Sequence, residues 1–309
     1  MFSDSLRTWQ DAGDYWLFRG HRVFYKVCGE GEPLILVHGF PSASVDWQAI
    51  WPQLEGKFQL IAMDMLGYGF SDKPKDFDYS ISAQADLVAE LAEHLNIRKA
   101  HILSHDYGDT VAQELLARHL EGSLTFEIRS LSLLNGGLFP ETHKPLLIQK
   151  LLMSPIGPLL AKFMNQKKFT ASLQKICSDG MSFDVLDDLW QLLEYKNGRA
   201  VLPLLIYYMQ ERREHRERWV GALEQANAMA LPLHLIDGVI DPISGQHLVE
   251  RYRELLPEAK VTELQNIGHY PQLEAPDAVV SAFLAGLNEA QTSRREDRSS
   301  DNAQEPLVG

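Results

Sequence analysis

A chain of 309 residues, 45% hydrophobic and 23% charged, carries enough apolar material for one large core, or for a core and a smaller insertion. Its 42 acidic side chains against 29 basic ones leave a net charge of −13, which argues against nucleic acid and anionic membrane as partners. Two cysteines, Cys28 and Cys177, provide no disulfide framework and read as packing residues, so a reducing, cytoplasmic setting is expected.

Residues 1–18 carry Asp4, Arg7, Asp11 and Asp14 and no apolar run, which is not the pattern of a secretory signal. Runs 22–27 and 34–37 read as strands about the Gly29-Glu30-Gly31-Glu32 turn. Run 60–63 is another, ahead of glycine-rich Asp64-Met65-Leu66-Gly67-Tyr68-Gly69. Ile81, Ala85, Val88, Leu91 and Leu95 mark one helix face. A strand about Ile102 leads into Ser104-His105-Asp106-Tyr107-Gly108, then into a helix with Val111 and Leu115; 131–134 is the next strand. From about 137 to 230 only helical segments occur, too long a stretch for a plain loop, so a helical cap over the strand tips is expected. Its greasiest stretches, 145–164 and 200–209, are broken by Lys150 and Lys162 or are too short to span a bilayer. No integral membrane segment is therefore expected; packing in a core or cap is the reading, with transient membrane contact as its alternative. Alternation then resumes with strand 233–236, helix 248–256, strand 261–264 and closing helix 279–287. The polar tail 289–309 reads as disordered. This order gives a mostly parallel sheet with helices on both faces, divided as core 1–136, cap 137–230 and core 231–288.

The chemistry concentrates at Asp106. A strand, then small-x-Asp-x-small, then a helix is the layout of a nucleophile held on a sharp turn. Small residues are needed two before and two after the nucleophile, because the turn packs strand closely on helix. Ser104 and Gly108 meet that need only if Asp106 is the centre. An aspartate nucleophile suits saturated carbons bearing a leaving group, such as epoxides and alkyl halides. Attack there gives an alkyl ester that water can cleave. The plain alternative is an acidic residue that favours a helix N-terminus.

In a parallel sheet the partners should lie after other strands. Candidates are Asp237-Gly238-Val239-Ile240-Asp241-Pro242, Asn266-Ile267-Gly268-His269-Tyr270-Pro271 and His38-Gly39-Phe40-Pro41. His269 would activate water and Asp241 would orient it, with Asp237 as a rival. The backbone N–H groups of Phe40 and Tyr107 would form the oxyanion hole. His38 and His105 read as structural. No cofactor or metal is required; water is the co-substrate.

With these pieces placed, the chain resembles the epoxide hydrolase and haloalkane dehalogenase branch of the α/β-hydrolase superfamily over about 16–287. The resemblance rests on His38-Gly39-Phe40-Pro41, Asp64 with Gly67-Tyr68-Gly69-Phe70-Ser71-Asp72-Lys73-Pro74, Ser104-His105-Asp106-Tyr107-Gly108 and Gly268-His269. A narrower resemblance is to the mesoderm-specific transcript group. It rests on Asn135-Gly136-Gly137, Phe139-Pro140-Glu141-Thr142-His143, Arg218-Trp219-Val220-Gly221-Ala222-Leu223 and His269-Tyr270-Pro271-Gln272-Leu273-Glu274, and so extends into the cap. The resemblance implies an α/β-hydrolase fold with an eight-stranded, mostly parallel sheet and a helical cap. Dehalogenases of this branch hold the halide with a tryptophan after the nucleophile and a second Trp or Asn; here Tyr107 and Phe40 stand there, and Trp190 and Trp219 read as packing. Epoxide hydrolases use cap tyrosines as the ring-opening acid, which implies Tyr208 rather than its neighbour Tyr207, with Tyr195 as the candidate second. Run 211–218 reads as a solvated helix face. The expected function is hydrolysis of a lipophilic epoxide through an alkyl-enzyme ester. A haloalkane dehalogenase and a non-catalytic binding member of the fold are the alternatives, and the oligomeric state is left open.

Overall fold

The computed structural model describes residues 2–178 and 181–302. Helix α1 (Asp4–Asp11), capped by the Ser3 hydroxyl, precedes a hairpin of β1 (Asp14–Phe18) and β2 (His21–Cys28). The two-residue loop Arg19-Gly20 takes φ +49° and +84°, the left-handed pair that matches the twist of a tight hairpin. The sequence reading places no strand at 14–18, although Tyr15-Trp16-Leu17-Phe18 ahead of Arg19-Gly20 is a hairpin signal.

The chain continues through β3 (Glu32–Val37), α2 (Trp51–Leu54), β4 (Phe58–Met63), α3 (Ile81–His94), β5 (Lys99–His105), α4 (Tyr107–Leu120) and β6 (Glu127–Leu134). Between β6 and β7 (Leu233–Gly238), every regular element among the described residues is helical. These are α5 (Leu147–Leu152), α6 (Gly157–Lys162), α7 (Gln166–Gln174), α8 (Phe183–Glu194), a 3₁₀ segment (Tyr195–Val201), α9 (Leu202–Leu205), α10 (Tyr208–Glu214) and α11 (Arg216–Ala228). The chain closes with α12 (Gln246–Leu255), β8 (Lys260–Leu264), α13 (Pro271–Glu274) and α14 (Pro276–Asn302). Helix α14 thus runs past residue 289, where the polar composition predicts disorder. No glycine or proline interrupts 289–302, and glutamate, alanine, glutamine and arginine there are good helix formers. The remainder of that tail, 303–309, lies outside the described residues. Among the described residues no helix is long and apolar enough to cross a bilayer.

The eight strands lie in the order β1-β2-β4-β3-β5-β6-β7-β8, with β1, β2 and β4 pairing antiparallel and every other pair parallel. Leu34, Ile35, Leu36 and Val37 are buried in succession, because helices cover both faces of a parallel sheet. Each such side chain contributes about 1.5–3 kcal/mol of burial. The register aligns the carboxyl ends: Val37 pairs with Ser104, His105 with Leu134, Leu134 with Ile236, and Gly238 with Leu264. The loops after β3, β5, β6, β7 and β8 therefore emerge side by side along one edge, where a parallel sheet places its ligand.

Candidate active site

Asp106 occupies the turn between β5 and α4 with φ +47° and ψ −104°, a strained conformation for a residue with a Cβ. Its own N–H donates to the Leu134 carbonyl at 3.1 Å, and its carbonyl accepts from Asp109 N–H at 3.2 Å. Close approach explains the small residue after it: a Cβ on Gly108 would lie 2.3 Å from the Val37 carbonyl oxygen. On the other side, a Cβ on Gly39 would lie 2.6 Å from His105 Nδ1 and 3.0 Å from Asp106 Cβ. Phe40 N–H donates to Asp106 Oδ2 at 3.0 Å. Tyr107 opens α4, and a first-turn N–H has no acceptor within its own helix. Of the two N–H groups named from the sequence, that of Phe40 thus reaches the carboxylate, while that of Tyr107 follows Asp106 at the start of the helix.

His269 Nδ1 lies 2.7 Å from Asp241 Oδ2. Asp241 also accepts from Ile243 N–H at 2.8 Å, Ser244 N–H at 3.1 Å and Asn135 Nδ2 at 3.2 Å. Burial raises the Asp241 carboxyl, but His269 and these donors outweigh it and hold it below the usual range. Burial likewise lowers His269, yet the charges of Asp241 and Asp106 and the Asp241 hydrogen bond lift it to about 9. Asp237, the rival acid, has no hydrogen-bond partner on either buried oxygen among the described residues, and burial pushes it well above the carboxylate range. His105 Nε2 donates to the His269 carbonyl at 2.7 Å, and His38 Nε2 accepts from Met65 N–H at 3.1 Å. Both are lowered by burial, as structural histidines are.

Sequence reasoning overlooks three residues here. Glu274 clamps the histidine loop by accepting from Gly268 N–H at 3.0 Å and Tyr270 N–H at 2.9 Å, on either side of His269. Asn135, at φ +44°, orients Asp241. Arg212 is the third. Its Nη2 donates to the Asp106 carbonyl at 3.1 Å and lies 3.9 Å from Asp106 Oδ1, and its Nε donates to Thr110 Oγ1 at 2.7 Å. The expectation of a solvated face at 211–218 is therefore corrected. Arg213, Glu214 and Glu217 are exposed, but Glu211 and Arg212 are buried, and both Glu211 oxygens accept from Ile81 N–H. Trp219 packs as expected, its indole donating to Glu114 at 2.8 Å.

Tyr208 is fully buried, its hydroxyl has no hydrogen-bond partner among the described residues, and burial followed by the Asp106 charge raises it. Its ring meets Tyr107 at 5.0 Å, Phe40 at 5.9 Å and the Arg212 guanidinium at 4.5 Å. Tyr68, which the sequence analysis leaves without a role, has an equally unpartnered buried hydroxyl that feels Asp106. Tyr207 is exposed, and Tyr195 packs on Phe2 and Phe70 instead.

A cavity of about 170 Å³ reaches this group. His269 and Phe40 line its base, and Leu152, Leu160, Phe163 and Leu173 line its walls; no tryptophan does. Tyr208 is not on its wall but behind Phe40. A void of about 10 Å³ adjoins it through Pro41 and Leu202, and Tyr68 lines that void.

The alpha/beta hydrolase fold family model matches residues 32–276. The mesoderm-specific transcript protein of Mus musculus is 41% identical over 302 residues, covering 93% of this chain and 89% of its own. Among solved structures, the loop variant of haloalkane dehalogenase DbeA from Bradyrhizobium elkanii superposes with a TM-score of 0.76 at 21% identity, covering 91% of this chain and 99% of its own. The epoxide hydrolase CorEH does so at 0.68 and 19%, covering 90% and 98%.

Proposed function

This chain belongs to the alpha/beta hydrolase fold family, and from that premise we propose that it hydrolyses a lipophilic epoxide through an ester on Asp106. The observation that carries the reading is the environment of one carboxylate. Asp106 Oδ2 is held by Phe40 N–H, which leaves Oδ1 for attack, while His269, paired with Asp241, lines an apolar cavity. A serine hydrolase would carry a hydroxyl at this turn; a carboxylate attacks saturated carbon instead.

In the first half-reaction, Asp106 Oδ1 forms a bond to an oxirane carbon and that carbon's C–O bond breaks. The ring oxygen takes a proton from the Tyr208 phenol, or from Tyr68. In the second, His269 removes a proton from water as its oxygen adds to the Asp106 carboxyl carbon. Negative charge develops on Oδ2, between the Phe40 and Tyr107 N–H groups. Collapse releases the diol and restores the carboxylate, and the proton on His269 returns to the tyrosine through solvent. The helices between β6 and β7 act as a cap that keeps bulk water from the ester.

The two halves are coupled by charge. Asp106 is one of the groups that raise His269. Esterification removes that negative charge and so lowers the histidine toward the neutral form that hydrolysis needs, while Asp241 still raises it. A halide reading is less well supported, because no indole lines the cavity and Trp219 already donates to Glu114.

Intact-protein mass of a His269→Gln variant, incubated separately with epoxides and alkyl halides, tests the proposal. An adduct equal to a whole epoxide, mapped to Asp106, is expected. An alkyl adduct with halide release would replace the epoxide reading with dehalogenation. No adduct from either panel would overturn both the epoxide and the halide reading and point to another electrophile or a non-catalytic role.

A further inference from the structure

Helices α5 to α7 differ in charge from the rest of the chain. Residues 142–178 contain Lys144, Lys150, Lys162, Lys167, Lys168 and Lys175 and no aspartate or glutamate, in a protein of net charge −13. All six lysines are exposed, and among the described residues none forms an ion pair. The same segment exposes large apolar side chains: Leu147 at 72%, Ile156 at 52%, Leu159 at 57% and Phe163 at 65%. Leu147 opens α5, and the other three lie on or at the ends of α6, which packs on α5, so exposed apolar area is concentrated on this pair of helices. Their neighbours Ile148, Leu152, Leu160 and Phe163 itself line the cavity above His269.

We propose that this face docks on an anionic lipid bilayer. Apolar side chains with lysines around them suit the headgroup boundary, where the first enter the acyl region and the second meet lipid phosphates. Charge complementarity selects this occupant. A second copy of this chain would bring its own lysines face to face with these, which like-charge repulsion opposes, and a neutral apolar partner would leave them unused. The net charge of the whole chain argues against anionic membrane, but it averages over a surface that is locally cationic, and binding is decided within about 10 Å, the screening length at 0.1 M salt. The docking stands on this geometry alone. That the bilayer delivers lipophilic substrate through α5 and α6 into the cavity rests on the function proposed above.

The test is co-sedimentation of the full Asp106→Asn chain with vesicles of phosphatidylcholine, alone or mixed with phosphatidylglycerol. Binding to the mixed vesicles only, with release at high salt, is expected. Each lysine near such a surface strengthens binding about fivefold, so Lys150→Glu/Lys162→Glu/Lys167→Glu should lower partitioning at least about a hundredfold. Leu147→Ser/Leu159→Ser should lower it too, with unchanged melting temperatures in both variants. Absent binding, binding indifferent to anionic lipid or salt, or a triple variant that binds like the parent would overturn the proposal. So would a dimer, seen by sedimentation equilibrium, that Leu147→Ser/Leu159→Ser dissolves. None of these readouts requires turnover, and the adduct experiment requires no vesicle, so the two proposals fail separately.

Discussion

Asp237 is the penultimate residue of β7, Asp241 lies four residues on past the strand end, and both are buried. Five donors surround Asp241, the Ser244 hydroxyl among them, whereas Asp237 has none among the described residues. The loop from Val239 curls back so that Asp241 N–H donates to the Gly238 carbonyl at 3.1 Å, and this turns the second carboxylate toward His269. Asp241→Asn should therefore lower turnover by about 10⁴, as loss of an orienting acid does, with ester accumulating because only hydrolysis uses the base. Asp237→Asn should keep turnover and raise the melting temperature at neutral pH. A carboxyl raised in the fold weakens the folded state as pH climbs above its unfolded value near 3.8, so the gain should vanish below that pH. Thermal melts of both variants across pH, beside turnover, check this; a destabilised Asp237→Asn would contradict it. For His269 the sign is the same, in a higher pH window. Its folded value of about 9 exceeds the unfolded 6.5, so its contribution is fully present below 6.5 and lost as pH rises through 9. The stability deficit of His269→Gln should accordingly shrink from pH 6 to pH 10, and a deficit flat with pH would refute the assignment.

At the scale of elements, what can be read from sequence follows how local the signal is. The turn at Asp106 is legible because its requirements, a strand before it, Ser104 and Gly108 about it, a helix after it, all lie within a dozen residues. The all-helical stretch between β6 and β7 also follows from periodicity. Arg212 is not legible: a run of alternating charges reads as solvent-facing, and only the packing of α10 against the turn buries two of its members. Nor does sequence show that Asn135, chemically unremarkable after β6, lies beside a loop more than a hundred residues away. Arg212 is the most consequential of these, since its fork joins α10 to both the Asp106 carbonyl and Thr110. Lysine keeps the charge without the fork. Arg212→Met should cost about 3–5 kcal/mol by leaving a buried charge unpaired, with Arg212→Lys in between. The same variants combined with Asp106→Asn should show a coupling of about 0.5–3 kcal/mol in urea unfolding. Strict additivity would mean that Arg212 acts on the fold without acting on the nucleophile.

For the whole molecule, the helices between β6 and β7 are held unequally. Helix α11 buries Trp219, Val220, Leu223 and Ala226, and Arg218 reaches Glu114 and Glu121 on the far side of α4. Arg216 and Arg251 share Glu141, which ties the start of α11 to α12. Helices α5 and α6 have little of this. They bury Leu152 from the first and Gly157 and Ala161 from the second, while their apolar side chains otherwise face the cavity or solvent. Few buried contacts mean a low free energy of local opening. Entry of the proposed substrate into a cavity walled by these helices should proceed by opening of α5 and α6 while α10 and α11 stay in place. Hydrogen exchange followed by mass spectrometry should show amides of 147–162 exchanging orders of magnitude faster than those of 216–228, under conditions where the sheet is protected. Trapping the ester in His269→Gln should slow the first segment and leave the second unchanged, because a bound alkyl chain adds contacts only to the cavity walls. Equal protection of both segments, or slowing confined to α11, would place the entrance elsewhere. The base Asp241 orients would then be reached from another side of the sheet edge.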